Sequence, residues 1–210
     1  MSIIVEHEKR QKEILKKALD VFVDEGFENA TFQKIADRCG ITRTTLYLYF
    51  KNKKEVFNYS IKQLLSKAEE DIRIIYTDSA LHSIEKITNV LLNIFQQLEE
   101  NRRLLSVILD YLLHLSKKNT GQEESTGSGP PYRDPEKRVR RRTLRLRHIL
   151  ASMVIEGIKK GDLKPVDIKI TGDYLYSLIE AAIFRLVVLQ RKDLSDLRKT
   201  TVLAIGQLGE

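Results

Sequence analysis

Apolar residues recur along most of this chain at the three- and four-residue spacing of amphipathic helices. In the stretch Glu8–Glu25, for example, Ile14, Ala18, Val21 and Phe22 fall on one helical face. Runs in which apolar and polar residues alternate, the pattern of half-buried strands, are scarce. The spacing therefore predicts an all-α protein.

The same pattern predicts about nine helices. After the first helix, short helices are expected over Thr31–Cys39 and from Thr42 onward, and a longer one begins near Asn52, which can cap it. Five further helical segments follow, over Ser79–Glu100, Arg102–Lys118, Pro135–Lys160, Ile168–Arg191 and Leu194–Leu208. The stretch 118–135 is rich in glycine, serine and proline, which predicts a flexible loop between two helices.

Composition narrows the class of protein. The chain has 210 residues and a net charge of +7, and this mildly basic balance favours an acidic partner such as nucleic acid. Cys39 is the single cysteine, so no internal disulfide is possible, and we expect it to be a small core residue. The N-terminus does not have the pattern of a signal peptide, and the apolar runs are shorter than a membrane span. These features predict a cytoplasmic protein with no membrane partner.

The two short helices and the turn between them meet the requirements of a helix-turn-helix. Ala36 supplies the small residue at which the helices cross, and Gly40, four positions later, supplies a turn residue that tolerates positive φ. Leu46, six positions further on, points back into the crossing. A small apolar centre is completed by Phe32, Ile35, Cys39, Ile41 and Phe50.

The segment Thr31–Phe57, "TFQKIADRCGITRTTLYLYFKNKKEVF", resembles the TetR-type (tetracycline-repressor-like) transcriptional regulators. This resemblance implies a three-helix DNA-binding domain over residues 1–52 and a helical effector-binding and dimerisation domain over residues 53–210. It also implies a homodimeric repressor that binds a palindromic operator in double-stranded DNA and is released by a small-molecule effector. Two positions depart from the usual motif: Thr44 stands where glycine is common, and Tyr49 where histidine is common.

Helical geometry indicates which side chains face DNA. The N-terminal end of the second helix approaches the major groove in this motif, so Arg43 and Thr44 are expected to contact base edges, and Arg43 can bind guanine through two hydrogen bonds. Leu48 either contacts a thymine methyl group or is an incidental surface leucine. Phosphate contacts are expected from hydroxyls and one ammonium, those of Thr31, Thr42, Thr45, Tyr47, Tyr49 and Lys53.

A second basic run, over residues 133–148, has two interpretations. It could contact nucleic acid, but apolar residues recur beneath the charges at helical spacing, which favours a solvated helix face. The apolar positions are Val139, Leu146, Ile149, Leu150 and Met153.

The last two helices are predicted to form the homodimer. The stretch Tyr174–Leu189 is apolar on several sides, and Ala181 and Ala182 allow a partner helix to approach closely. A second apolar stripe is formed by Leu194, Leu197, Thr201, Ala204 or Ile205, and Leu208.

Polar residues within apolar helices are the candidates for effector binding: Tyr111, His114, Tyr174 and Arg185. A local pair of Asp110 with His114 is the alternative that needs no ligand. The four histidines are scattered, and no metal-binding, phosphate-loop or nucleophile motif is present, so no catalytic residue, metal or cofactor is predicted. The remaining alternative is a helical module that uses the motif for protein contact.

Overall fold

The computed structural model describes the backbone of residues 3–119 and 135–209, and the side chains there except at 3, 4, 64, 114–119, 135–140 and 142. Within these ranges all regular structure is helical, which confirms the predicted fold class. The helices are α1 (Ile3–Asn29), α2 (Phe32–Cys39), α3 (Arg43–Tyr47), α4 (Lys53–Thr77), α5 (Ser83–Glu100), α6 (Arg102–Asn119), α7 (Pro135–Lys160), α8 (Ile168–Val187) and α9 (Ser195–Gly206). Residues 120–134 of the predicted loop lie outside the described residues.

Helix ends follow local side-chain chemistry. The Asn52 side chain accepts a hydrogen bond from the backbone N–H of Glu55 at 2.9 Å, as predicted for the start of α4. The Glu55 carboxylate accepts a hydrogen bond from the N–H of Lys51 at 2.6 Å. In a capping box the donor would be the N–H of Asn52, so the bond is displaced by one residue. Gly26 interrupts α1 with φ 76° and ψ 166°, at the position predicted to end the first helix.

The chain forms two compact units. The N-terminal unit contains the described parts of Met1–Lys67 and Arg103–Ser125, and the C-terminal unit contains Ala68–Arg102 and the described part of Thr126–Glu210. Helix α4 therefore contributes to both units, and α6 belongs with α1, α2 and α3. The functional boundary at residue 52 stays a prediction.

An aromatic cluster lies in the core of the N-terminal unit. The Tyr111 ring of α6 lies 4.3 Å from the Phe27 ring and 5.1 Å from the Phe57 ring, measured between centroids. Phe22 contacts Phe57 edge to face at 4.8 Å. Pairs of this kind add stability beyond the burial of their area, so α6 is held firmly against α1 and α4.

Helices α5, α7, α8 and α9 enclose the core of the C-terminal unit, and charged groups cross-link its helix ends. The Asp162 carboxylate accepts hydrogen bonds from the N–H of Ser83 at 3.0 Å and from its hydroxyl at 2.7 Å, so the turn after α7 caps α5. The Glu99 carboxylate accepts from the N–H of Leu194 at 2.6 Å and from the guanidinium of Arg198. Hydrogen bonds in which at least one partner is charged, as the carboxylate is here, are stronger than those between two neutral groups.

The apolar stripe predicted on α9 does not face outward. Its members pack into the core of their own unit, because α9 lies against α5. The prediction that this stripe forms a dimer contact is therefore wrong. The buried residues are Leu194, Leu197, Thr201 and Ile205, and Leu208 is partly buried. The exposed apolar residues of α9 are Val202 and Leu203.

The described part of the basic run forms a helix face with acidic partners. An Arg145 nitrogen lies 3.6 Å from a Glu69 oxygen, and an Arg147 nitrogen lies 3.1 Å from an Asp173 oxygen. The apolar positions beneath, Leu146, Ile149, Leu150 and Met153, are buried or packed against the core. These contacts support the solvated-face interpretation. Val139 lies outside the described side chains.

Candidate nucleic-acid interface

The turn between α2 and α3 is closed by backbone hydrogen bonds around Gly40. Its φ of 67° and ψ of 36° are left-handed, and its N–H donates to the carbonyl of Asp37 at 3.1 Å. The N–H of Ile41 donates to the carbonyl of Ala36, also at 3.1 Å. Ala36 and Leu46 are fully buried where the two helices cross, which confirms the predicted packing and fixes the orientation of α3 on α2.

Arg43 lies along the outer side of α3. Its Nη2 donates a hydrogen bond to the Tyr47 hydroxyl at 3.1 Å, and its guanidinium carbon lies 5.6 Å from the centre of the Tyr47 ring. The Tyr47 ring in turn contacts the Phe32 ring of α2, with centroids 4.8 Å apart. The side chain predicted to contact a base is therefore held by a residue predicted to contact phosphate.

The threonines of the motif hold the helix N-termini. Thr31 accepts a hydrogen bond from the N–H of Lys34 at 3.2 Å, and Thr42 accepts from the N–H of Thr45 at 3.0 Å. A hydroxyl that accepts a hydrogen bond still has its own proton to donate. A capping threonine can therefore also donate a hydrogen bond to a phosphate oxygen. The hydroxyl oxygens of Thr42 and Thr45 are 2.8 Å apart, and the Thr44 side chain is exposed.

Tyr49 is partly buried and stacks on a histidine that the sequence did not indicate. The His7 ring of α1 lies 4.6 Å from the Tyr49 ring, with 21° between the ring planes. His7 is exposed. Because His7 is far from Tyr49 in the chain and belongs to no recognisable pattern, no sequence signal could have paired the two residues.

Lys53 is bound to the end of α1. Its ammonium donates to the carbonyl oxygens of Phe27 at 2.8 Å and Glu28 at 2.9 Å, and lies 4.7 Å from the centre of the Phe27 ring. An ammonium has three protons, so one remains for a phosphate oxygen when two are used. The sequence prediction of a phosphate contact missed this second role, in which Lys53 holds the start of α4 against the end of α1.

Basic residues of α2 and α6 bind acids of α1. The Asp24 carboxylate contacts the guanidinium of Arg38 at 3.0 Å and that of Arg103 at 3.2 Å, and the hydrogen bond from Arg38 is the main cause that lowers the pKa of Asp24. Lys34 pairs with Glu25 at 2.7 Å. Arg43, by contrast, binds the neutral hydroxyl of Tyr47 on its own helix.

The candidate effector residues do not share one unit. Tyr111 belongs to the N-terminal unit and is buried among aromatic rings, whereas Tyr174 and Arg185 lie on α8 in the C-terminal unit. The side chain of His114 lies outside the described ones. The assignment of these residues to an effector site stays a prediction.

Three features of the described residues bear on other classes of site or protein. Cys39 is buried, and desolvation raises the pKa of its thiol, as expected for a core residue. No group of three or more histidine, cysteine or acidic side chains in the described part of the chain is placed to hold a metal ion. None of the helices within residues 3–119 and 135–209 combines the length and the apolar character that crossing a bilayer requires.

Comparison with known proteins places the motif in a family. The model of the family described as bacterial regulatory proteins, tetR family, matches residues 14–59. The chain is similar to the fatty acid metabolism regulator protein of Bacillus subtilis (strain 168), with 26% identity over a 192-residue alignment that covers 88% of this chain and 88% of that protein.

Solved structures with the same fold extend this similarity over nearly the whole chain. A TetR transcription regulator from Haloarcula marismortui matches 96% of this chain and 97% of its own, with a TM-score of 0.73 and 19% identity. The transcriptional regulator FadR from Bacillus subtilis, solved in complex with stearoyl-CoA, matches 92% of this chain and 96% of its own, with a TM-score of 0.61 and 24% identity.

Proposed function

Because the chain belongs to the TetR family of DNA-binding transcriptional regulators, we propose that it acts as a homodimeric repressor on a palindromic operator. The observation that supports this most directly is the outer side of α3, where Arg43, Thr44 and Tyr47 are exposed beside a buried crossing of two helices. We assign it no catalytic role and place it in the cytoplasm, where such regulators meet their DNA.

The DNA contacts divide into two kinds. Arg43 and Thr44 contact base edges in the major groove, and Arg43 discriminates guanine from other bases by about 1–3 kcal/mol. The phosphate contacts position the unit on the duplex and carry no sequence information, and they are made by Thr31, Thr42, Thr45, Tyr47, Tyr49 and Lys53. For Lys53 the contact uses the one ammonium proton that the α1 carbonyls leave available.

Exposed apolar residues on the last two helices support the dimer. Ile170 and Val188 of the α8 region are 70% and 61% exposed, and Phe184 lies between them on the same helix. Leu203 of α9 is 72% exposed. A series of this kind is disfavoured in water and is typical of a surface that another protein covers. A second copy of the chain presents the same surface, as the two-fold symmetry of a palindromic operator requires.

The effector that we propose is a long-chain acyl-CoA. The support is the relative named as a fatty acid metabolism regulator, together with the FadR structure that contains stearoyl-CoA. Helix α4 contributes residues to both units, so an effector that shifts α4 changes the separation of the two DNA-binding units in a dimer. Half-sites lie roughly 34–36 Å apart, and dimers with another spacing fit two successive major grooves poorly.

The test is a selection of bound duplexes from a random DNA pool with the purified protein, followed by titration of the selected operator with fluorescence anisotropy. We expect a palindromic operator, and release on addition of stearoyl-CoA but not of CoA or stearate at the same concentration. Arg43→Ala should relax base preference in each half-site, whereas Lys53→Ala should weaken all duplexes alike and lower the salt slope by about one. Recovery of no preferred duplex at moderate salt would contradict the regulator function.

If an operator is recovered but stearoyl-CoA does not release the protein, the acyl-CoA assignment is wrong and the DNA-binding assignment stands. The two parts of the proposal are thus tested separately with one operator.

A further inference from the structure

Leu48 is the most exposed large apolar side chain in the described part of the chain. Its exposed fraction is 76%, and it belongs to neither of the two apolar clusters. It is the C-cap of α3, with φ −68° and ψ −24°, so the backbone there is still helical. Two residues in a helix turn by about 200°, so Leu48 points away from Leu46, which is fully buried. Thr44, one turn earlier, is exposed on the same side.

The surroundings of Leu48 match DNA better than an apolar protein surface. Arg43 and Lys51, on either side of it in the chain, are exposed cations, and Tyr47 is 49% exposed with its hydroxyl at hydrogen-bond distance from Arg43. An apolar protein partner would desolvate these groups without replacing their hydrogen bonds. Phosphates pair with the cations, and the major groove displays one apolar group, the C5-methyl of thymine.

We propose that Leu48 contacts the C5-methyl group of a thymine in each half-site and is thereby a specificity-determining residue. This inference rests on the proposed function, because it places α3 in the major groove of an operator. The contact removes one methyl group and part of the leucine from water. For a buried methyl group we expect about a fourfold change in Kd for one half-site, and about 15-fold for both.

Replacement of thymine by deoxyuridine tests the contact, since it removes the methyl group and leaves base pairing unchanged. Each thymine of the selected operator is replaced in turn, and Kd is measured by fluorescence anisotropy for the wild type, Leu48→Ala, Leu48→Met and Leu144→Ala. Leu144 is an exposed leucine of α7 in the C-terminal unit and serves as the matched control. Thermal unfolding of each variant shows whether the fold is retained, which we expect for Leu48→Ala because the side chain packs in no core.

The expected result is one thymine per half-site at which deoxyuridine weakens wild-type binding about fourfold. Leu48→Ala should bind the duplexes with thymine and with deoxyuridine at that position equally. Leu48→Met and Leu144→Ala should keep the wild-type ratio of the two Kd values. The proposal is overturned if no thymine shows the effect, or if Leu48→Ala keeps the same ratio of affinities. Either result leaves the operator, and therefore the proposed function, intact. Failure to select any operator overturns both.

Discussion

The two units both expose large apolar side chains, but these lie in different surroundings. At the end of α3 in the N-terminal unit, Tyr47 and Leu48 are flanked in the chain by exposed cations, Arg43 and Lys51, and Arg43 contacts the Tyr47 hydroxyl. In the C-terminal unit, Ile170 near the start of α8, Phe184 near its end and Val188 just after it fall on one helical face, with the exposed Tyr174 between them. The difference indicates two kinds of partner. Isolated apolar groups flanked by cations suit DNA, which offers phosphates and thymine methyls, whereas several apolar groups on one helix face suit an apolar protein surface such as a second copy.

A charge on this apolar helix face should have the largest effect. We predict that Phe184→Glu raises the Kd of the dimer at least 100-fold, because it places an unpaired carboxylate in a surface that excludes water. Sedimentation velocity measures the change, and operator affinity should fall with it, since a monomer contacts a single half-site. Leu144→Glu, on an exposed position of α7, should leave the dimer intact. A Phe184→Glu protein that remains dimeric at nanomolar concentration would show that α8 is not the interface.

The parts of this structure that could be predicted from the sequence are those in which a pattern is local. Ala36, Gly40 and Leu46 lie within eleven positions of one another and define the crossing of α2 and α3 by their spacing alone. Caps such as Thr31 and Asn52 are local for the same reason, because their partners lie three residues away.

The contacts that could not be predicted join residues distant in the chain. Lys53 binds the carbonyl groups of Phe27 and Glu28, which lie 26 and 25 residues earlier in the chain. The sequence alone indicates only that a lysine near a helix start faces solvent or phosphate. The stripe on α9 shows a second limit. Helical spacing identifies an apolar face, but α5 of the same unit covers it, and spacing does not distinguish this from a partner chain.

The role of Lys53 in the fold provides the next test of how the two units differ. We predict that Lys53→Met lowers the free energy of unfolding by about 2 kcal/mol, because two charge-assisted hydrogen bonds to α1 carbonyls are lost. Lys51→Met, which alters an exposed neighbour, is the control and should change stability little. Urea unfolding measures both. If the two variants lose equal stability, Lys53 does not hold α1 and α4 together.

A smaller effect is expected at the turn of the motif. Gly40→Ala should cost about 1 kcal/mol, because the left-handed backbone at φ 67° strains any residue with a Cβ atom, although the space around it is open. Gly206→Ala is a matched control, since open space also surrounds Gly206 but its φ is not positive. That change should be neutral or stabilising because alanine favours a helix. Loss of stability in the control alone would contradict the backbone explanation.

The smallest effect belongs to the cap between α7 and α5 in the C-terminal unit. Hydrogen bonds from the hydroxyl and the N–H of Ser83 lower the pKa of Asp162, so its carboxylate binds a proton less readily in the folded protein than in the unfolded chain. Its contribution to stability is therefore present above the unfolded value near pH 4 and is lost as pH falls through the folded value.

Acid unfolding of variants can isolate this contribution from that of other carboxylates. Asp162→Asn keeps an oxygen that can accept from Ser83 but does not ionise, so the difference in unfolding free energy between wild type and variant should shrink as pH falls below about 4. Ser83→Ala removes one of the two hydrogen bonds and should abolish part of the same dependence. A difference that stays constant from pH 6 to pH 2 would mean that the carboxylate charge is not what caps α5. In that case the cap in the C-terminal unit would rely on neutral hydrogen bonds, as the Thr31 and Thr42 caps of the N-terminal unit do.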